Sequence, residues 1–175
     1  MSKTNSRHPS MALGGVFLSL FGAVWLFIGT YRYAGANLPA LSIIAVVSIL
    51  IATWAVMTFR ARRAAYTGAN SSATRKGLII VNILQWAAIS FMVLLLNLTH
   101  HVDLIMPCAI FIVGAHFLPL AKILRYRGYY LTGTGLVLVA LLYMLFRGED
   151  QSVVLALLST GAILWTSAIA LLAAV

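Results

Sequence analysis

The sequence predicts an all-α protein, a polytopic integral membrane bundle of six transmembrane helices arranged as three hairpins with both termini cytoplasmic. Three observations lead to this prediction. Hydrophobic residues make up 62% of the 175-residue chain and charged residues 9%, and the mean hydropathy of +1.01 is far above that of soluble domains. Six uncharged runs are each long enough to cross a bilayer as a helix. Basic residues are concentrated in alternate connections between these runs.

The six runs form one predicted domain, residues 11–175, behind a polar cytoplasmic leader, residues 1–10. No small-residue cleavage pattern follows the leader, so we expect the first run to be a retained helix rather than a signal peptide. The second run has Pro39 in its first turn, where the missing N–H of proline is harmless. The predicted spans are approximately 11–31, 38–59, 77–98, 104–124, 129–146 and 153–175.

The charges between the spans predict the orientation of the chain. Ten of the 12 Lys and Arg residues lie on one predicted side, and the other side has Arg32, Arg147 and the three acidic residues. Because Lys and Arg near helix ends resist translocation, the crowded side is predicted to be cytoplasmic. This distribution accounts for the net charge of +9, so no nucleic-acid partner is expected. We expect a membrane of the bacterial inner (plasma) type, because nothing indicates a eukaryotic secretory context.

The longest connection is RARRAAYTGANSSATRK, residues 60–76, which is rich in Ala, Ser, Gly and positive charge. It is predicted to be a mobile basic cytoplasmic loop. Its basic cluster is expected to meet the lipid bilayer and its anionic headgroups, and contact with a partner protein is the alternative. The candidates for lipid-headgroup contact are Arg60, Arg62, Arg63, Lys122, Arg125 and Arg127.

Small residues mark where the helices are expected to approach one another closely. Gly22, Gly133 and Gly161 belong to such faces on the first, fifth and sixth spans. Packing within one bundle is favoured over a dimer interface. Tyrosines near the span ends, among them Tyr126 and Tyr129, are predicted to be anchors at the membrane interface.

A layer of polar residues is predicted at one depth in the membrane. With a rise of about 1.5 Å per residue, His116 lies roughly 12 Å inside the cytoplasmic boundary, and Gln85 of the antiparallel third span has a similar depth. Asn82 and Trp86 are one turn apart on the same face of that span. Threonines of the last two spans lie within one or two turns of this level. The ligand-binding candidates are His116, Gln85, Asn82, Trp86, Thr134 and Thr166.

The run GAHFLP, residues 114–119, allows two interpretations. In the functional one, Pro119 breaks a backbone hydrogen bond, and a kinked helix presents His116 and a loosened carbonyl to a cavity open towards the cytoplasm. In the structural one, His116 hydrogen-bonds to Gln85 or Asn82 and only fixes the helix register. On sequence alone the structural role is the more common of the two.

Metal and cofactor chemistry find little support in the sequence. His100, His101 and Asp103 are weak candidates for a metal site, because imidazole and carboxylate are common ligands. Adjacent histidines rarely bind the same ion, however, and a solvated loop is favoured. No cofactor is predicted, since a transmembrane haem would need a second histidine at the depth of His116. The lone Cys108 is expected to be an inert core residue, and an enzymatic role is not favoured because the common catalytic motifs are lacking.

Two main functions remain open. We expect the chain to bind or transport a small, weakly polar or amphipathic solute through a cavity near the cytoplasmic half of the bilayer. It would act alone, as a homo-oligomer, or with a partner membrane subunit of a larger system. The alternative is an accessory or structural membrane protein with a filled interior that contacts lipid or a partner. A lipid-modifying enzyme is a third class, but it would need a second catalytic group beside His116.

Overall fold

Six helices account for nearly all of the described chain. The structure, a computed structural model, describes residues 10–65, 72–147 and 151–174. Each helix is long and apolar enough to cross a membrane, as the all-α, six-span prediction requires. A single turn of 3-10 helix, Val102–Leu104, precedes the fourth helix. The helices are α1 (Ser10–Ala34), α2 (Leu38–Ala65), α3 (Ser72–Leu98), α4 (Ile105–Leu124), α5 (Gly128–Leu145) and α6 (Ser152–Ala174).

The predicted mobile loop is largely helical where the structure describes it. Helix α2 continues to Ala65 and α3 begins at Ser72, so the prediction that residues 60–76 form a loop is wrong at both ends. Residues 66–71 lie outside the described part of the chain. The physical reason is that the apolar run marks only the part of a helix that crosses hydrocarbon. Ala, Arg and Lys are strong helix formers and prolong the helix beyond that point.

The helices pack side by side in the order α2, α1, α6, α5, α4 and α3. The two members of each sequence hairpin are neighbours in this row, as predicted. Helices α1, α6, α5 and α4 form the centre, while α2 flanks α1 and α3 flanks α4. Helices α2 and α3 follow one another in sequence, but they lie at opposite ends of the row.

Glycines allow the central helices to touch through their backbones. At the α1–α6 crossing, a Cβ atom built on Gly161 would lie 2.8 Å from the carbonyl oxygen of Gly22. At the α4–α5 crossing, a Cβ atom built on Gly133 would lie 2.7 Å from the carbonyl oxygen of Gly114. The predicted close contacts at Gly22, Gly133 and Gly161 are therefore confirmed, and they lie within one bundle.

Hydroxyl and indole groups join neighbouring helices inside the bundle. Trp165 Nε1 on α6 donates a hydrogen bond to the carbonyl of Ser19 on α1 (3.1 Å), and Ser19 Oγ donates to the carbonyl of Ser48 on α2 (2.8 Å). The hydroxyls of Thr132 on α5 and Ser167 on α6 are 2.7 Å apart. These hydrogen bonds satisfy polar groups where water is scarce. They also hold α1 against α2 and α6, and α5 against α6.

Helix α3 is the least enclosed of the six. None of its described side chains is buried, and it packs against α4 and the 3-10 turn at the edge of the row. Much of its surface therefore faces lipid when the bundle is in a membrane. Fewer buried apolar contacts hold α3 than hold any central helix. A movement of α3 relative to α1 therefore disturbs the core less than a movement of a central helix would.

Candidate functional site

A cavity of about 470 Å³ lies between α1, α3 and α4, with residues of α5 and α6 forming its floor. This volume is within the range of small-molecule pockets. The cavity lies in the half of the bundle where α1, α3 and α5 begin. We call that end of the bundle the basic end, because it carries Arg60, Arg62, Arg75, Lys76, Lys122, Arg125 and Arg127.

Four of the six predicted ligand-binding residues line this cavity. Asn82, Gln85 and Trp86 of α3 face it together with Leu78, because residues spaced by three, four or seven positions share one face of a helix. His116 faces it from α4. The structure thus brings the polar residues of adjacent hairpin arms to one wall of one cavity.

The imidazole of His116 has an unpaired nitrogen at this wall. Its Nδ1 atom is buried and has no hydrogen-bond partner within the described ranges. The expected hydrogen bond from His116 to Gln85 or Asn82 is not among those of the described residues. Buried polar atoms in proteins are nearly always paired, so this unpaired nitrogen is an exception. It has almost no accessible surface, and a ligand in the cavity reaches it only if the ring turns.

The α4 helix continues through Pro119, from Ile105 to Leu124. A proline in this position has no N–H to give to the carbonyl of Ala115, which lies next to His116 in sequence. That carbonyl keeps both lone pairs available close to the cavity wall. The helix does not end at the proline, and the loosened carbonyl stays a prediction.

Aromatic rings form the floor and the far wall of the cavity. Phe17 and Phe21 line it from α1, and the rings of Phe117 and Tyr129 pack at 5.5 Å between centroids beneath it. Tyr129 is only 1% exposed, so the prediction that it is an interfacial anchor is wrong. Its place near a span end indicated its depth, but the side chain turns into the bundle towards α1.

A close contact between α1 and α5 explains the position of Tyr129. A Cβ atom built on Gly14 would lie 2.6 Å from the Tyr129 hydroxyl oxygen, so a larger residue at this position would displace the ring. Both residues line the cavity. Sequence reasoning did not identify either as a site residue, because no local pattern indicates which helices will be neighbours.

The cavity opens sideways, between α1 and α3. Phe17 on α1 is 64% exposed and Trp86 on α3 is 57% exposed, although both line the cavity. These side chains form the rim of an opening that faces lipid when the bundle is in a membrane. A membrane-soluble molecule can therefore reach the polar wall without crossing the core of the protein.

No protein-family model, curated protein or solved structure matches the chain. The cavity is mainly apolar and has imidazole, amide and phenol groups at its surface. Its lining residues include no carboxylate.

Two predicted ligand-binding residues lie elsewhere. Thr134 and Thr166 are on exposed faces of α5 and α6, outside the lining of the cavity. The Thr166 hydroxyl donates to the carbonyl of Ala162 in its own helix at 2.8 Å. Counting residues along a helix predicts depth, but it gives no information on which way each helix is turned about its axis.

The weak metal candidates lie at the opposite end of the bundle. His100 and His101 are exposed in the connection after α3, and Asp103 lies 3.6 Å from Arg147 in an exposed ion pair. Among the described residues, no group of three His, Cys, Asp or Glu side chains is close enough to hold a metal ion. The metal site therefore remains without support.

The candidates for lipid-headgroup contact share the basic end. Arg60, Lys122, Arg125 and Arg127 are exposed there and Arg62 is half-buried, while the side chain of Arg63 lies outside the described part of the structure. Their position at one end of the helices is the arrangement that contact with one membrane surface requires. The contact with anionic lipid itself stays a prediction.

Proposed function

We propose that this multi-pass membrane protein binds a small amphipathic molecule in the cavity bounded by α1, α3 and α4. The observation that carries the proposal is the cavity itself, an apolar space with the side chains of His116, Asn82 and Gln85 on one wall. Leaving a buried polar group unpaired costs about 1–3 kcal/mol. The buried Nδ1 atom of His116 bears such a cost, and a ligand that turns the ring and hydrogen-bonds to this atom removes it.

The two walls of the cavity favour a ligand with two different parts. The side-chain amides of Asn82 and Gln85 can each donate and accept hydrogen bonds beside His116. Phe17 and Phe21 on the opposite wall offer only apolar contact. A molecule with one polar group and an apolar body makes favourable contacts with both walls. A fully polar solute would leave the aromatic wall poorly packed.

The sideways opening favours entry from the bilayer. The distribution of Lys and Arg supports a cytoplasmic basic end with cytoplasmic termini, which would put the opening in the half of the bilayer next to the cytoplasm. Transport is the wider form of this proposal and would require the site to open towards both sides of the membrane in turn. An accessory protein with a filled interior is the alternative, and the cavity favours binding over it.

A ligand-dependent thermal shift tests the proposal. The detergent-purified chain is screened against a library of metabolites and lipids in parallel with His116→Ala, Gln85→Ala and the matched control Thr134→Ala, which removes a polar group outside the cavity. We expect at least one compound that raises the Tm of the wild type and of the control but not of the two cavity variants. If every stabilising compound acts equally on all four proteins, the cavity is not the binding site.

A further inference from the structure

The cavity-lining face of α3 continues to a cation at the basic end. Leu78 and Asn82 line the cavity, and Arg75 lies three residues before the first and seven before the second, so the three share one helix face. Arg75 is exposed. Its long side chain therefore starts one turn beyond the lining of the cavity, on the side where the cavity approaches the membrane surface.

The end of α4 brings a second cation to the same place. A Cβ atom built on Gly77 would lie 3.3 Å from Ile123 Cδ1, so the first turns of α3 touch the last turn of α4. Leu124 lines the cavity, and Arg125 follows it directly as the cap of the helix. The two arginines therefore lie at the same end of the cavity, Arg75 one helical turn before the lining Leu78 and Arg125 directly after the lining Leu124.

Arg125 occupies a backbone position that glycine ordinarily takes. Its φ and ψ angles are 51° and 39°, in the left-handed region, and its N–H donates to the carbonyl of Ala121. Glycine, and sometimes asparagine, is the usual residue there because it has no unfavourable contact between Cβ and the backbone. Strained positions of this kind are frequently found at functional sites. An arginine in this conformation is consistent with a functional role for its side chain.

Among the described residues, no acidic side chain lies near these arginines. Asp103 lies at the opposite end of the bundle and pairs with Arg147, and the remaining acidic residues, Glu149 and Asp150, are in the connection between α5 and α6. Within the described ranges, neither Arg75 nor Arg125 has an ion-pair partner. Guanidinium groups without a protein carboxylate favour carboxylates and phosphates from another molecule.

We infer that the ligand of this cavity is an anionic single-chain amphiphile whose carboxylate or phosphate group binds Arg75 and Arg125. Its chain enters between α1 and α3 and lies against the aromatic wall. The inference rests on the proposed function and adds the charge of the ligand to it. One chain fits better than two because a volume of about 470 Å³ is in the lower half of the range for small-ligand pockets. A cationic amphiphile would meet repulsion at the same end.

Quenching of tryptophan fluorescence tests this inference directly, since Trp86 lies at the rim of the opening. The full chain is placed in nanodiscs of zwitterionic phosphatidylcholine and titrated with brominated 16-carbon probes that end in a carboxylate, an alcohol or a trimethylammonium group. A brominated two-chain phosphatidylglycerol is the fourth probe. The contribution of Trp86 is obtained by subtracting the signal of Trp86→Phe.

Three variants accompany the wild type. Arg75→Gln and Arg125→Gly remove the two guanidinium groups, and the second keeps the left-handed backbone because glycine adopts it freely. Lys122→Gln is the matched control. It removes a cation of the same end, but from the opposite face of α4, two residues from both Leu120 and Leu124.

The carboxylate is expected to show saturable quenching with an affinity at least about tenfold higher than that of the alcohol, as a charge-assisted hydrogen bond allows. Arg75→Gln and Arg125→Gly should each remove most of this preference without changing the affinity of the alcohol, and Lys122→Gln should not. Equal affinities for carboxylate and alcohol, or equal losses in all three variants, would overturn the anionic class while the cavity remains a binding site. Tighter binding of the two-chain lipid would overturn the single-chain assignment. Absence of saturable quenching by every probe would contradict the proposed function as well.

Discussion

The hydroxyl oxygen of Tyr129 lies against the α-carbon of Gly14, so close that a methyl group at Gly14 would be 2.6 Å from it. This contact joins the beginnings of α1 and α5 beneath the cavity, and it buries a tyrosine that is 1% exposed. The floor of the site therefore depends on a residue with no side chain. A change at either position alters both the stability of the bundle and the shape of the cavity.

Replacing Gly14 should destabilise the protein through this contact. In Gly14→Ala the new methyl group forces the Tyr129 ring to move, at a cost of about 1–3 kcal/mol, the usual range for overpacking. Tyr129→Phe removes the hydroxyl, so Gly14→Ala should cost much less in that background. Thermal unfolding of the four proteins of this double-mutant cycle measures the coupling. If Gly14→Ala is equally costly with and without the hydroxyl, the contact is not the cause.

The α4–α5 crossing should be still less tolerant of a side chain. Gly133→Ala places a methyl group 2.7 Å from the backbone oxygen of Gly114, which cannot turn away as a side chain can, so we expect a loss of about 2–3 kcal/mol or a failure to fold. Gly135→Ala is the matched control, since its Cβ would lie 3.4 Å from Ile163 in ordinary contact. The control should be stabilising by about 0.5–1 kcal/mol. Equal unfolding temperatures for the two variants would contradict this account of the crossing.

Arg125→Gly should make the unliganded protein more stable. Relieving the left-handed conformation of a residue with a Cβ atom gains about 1 kcal/mol. Arg125→Ala keeps the Cβ atom and should gain nothing, which separates the backbone effect from loss of positive charge. Thermal unfolding in detergent without ligand provides the comparison. A Gly variant that is no more stable than the Ala variant would show that the left-handed conformation at this position is not strained by a Cβ atom.

Closing the side opening should prevent binding. Phe17→Cys and Trp86→Cys are introduced together in a Cys108→Ser background and bridged by a cleavable reagent that reacts with two thiols. Compounds that raise the Tm of the wild type should lose this effect after bridging and regain it after cleavage, because the route between α1 and α3 is blocked. Single-cysteine variants treated in the same way are the controls. An unchanged effect in the bridged protein would mean that the ligand enters by another route.

Local signals in the sequence were sufficient for the six helices and for one wall of the cavity. Uncharged runs of sufficient length predict spans directly, since a helix in hydrocarbon has to be about 20 residues long. The rise along a helix is fixed, so the shared depth of His116 and Gln85 followed from counting residues. Asn82 and Trp86 belong to the same wall because their spacing of four places them on one helix face.

The remaining features depend on how each helix is rotated and on which helices are neighbours. Thr134 and Thr166 have a suitable depth but face away from the cavity, and Tyr129 faces the core instead of the membrane interface. The opening beside Phe17 exists because α3 packs at the edge of the row and leaves space towards α1. Each of these outcomes is decided by contacts between residues far apart in sequence, for which a periodic pattern contains no information.

Filling the cavity tests the central claim most directly. Leu120 of α4 lines the cavity and is half-buried, so Leu120→Trp puts an indole ring into the space without removing any polar group. Small molecules extracted from the purified wild type and from this variant are compared by mass spectrometry, after both have been shown to unfold cooperatively. The proposal predicts at least one amphipathic compound that is enriched in the wild type and reduced by about tenfold or more in the variant, the change expected when a buried ring excludes the ligand. Identical extracts from two equally well-folded proteins would contradict the claim that this cavity binds a ligand.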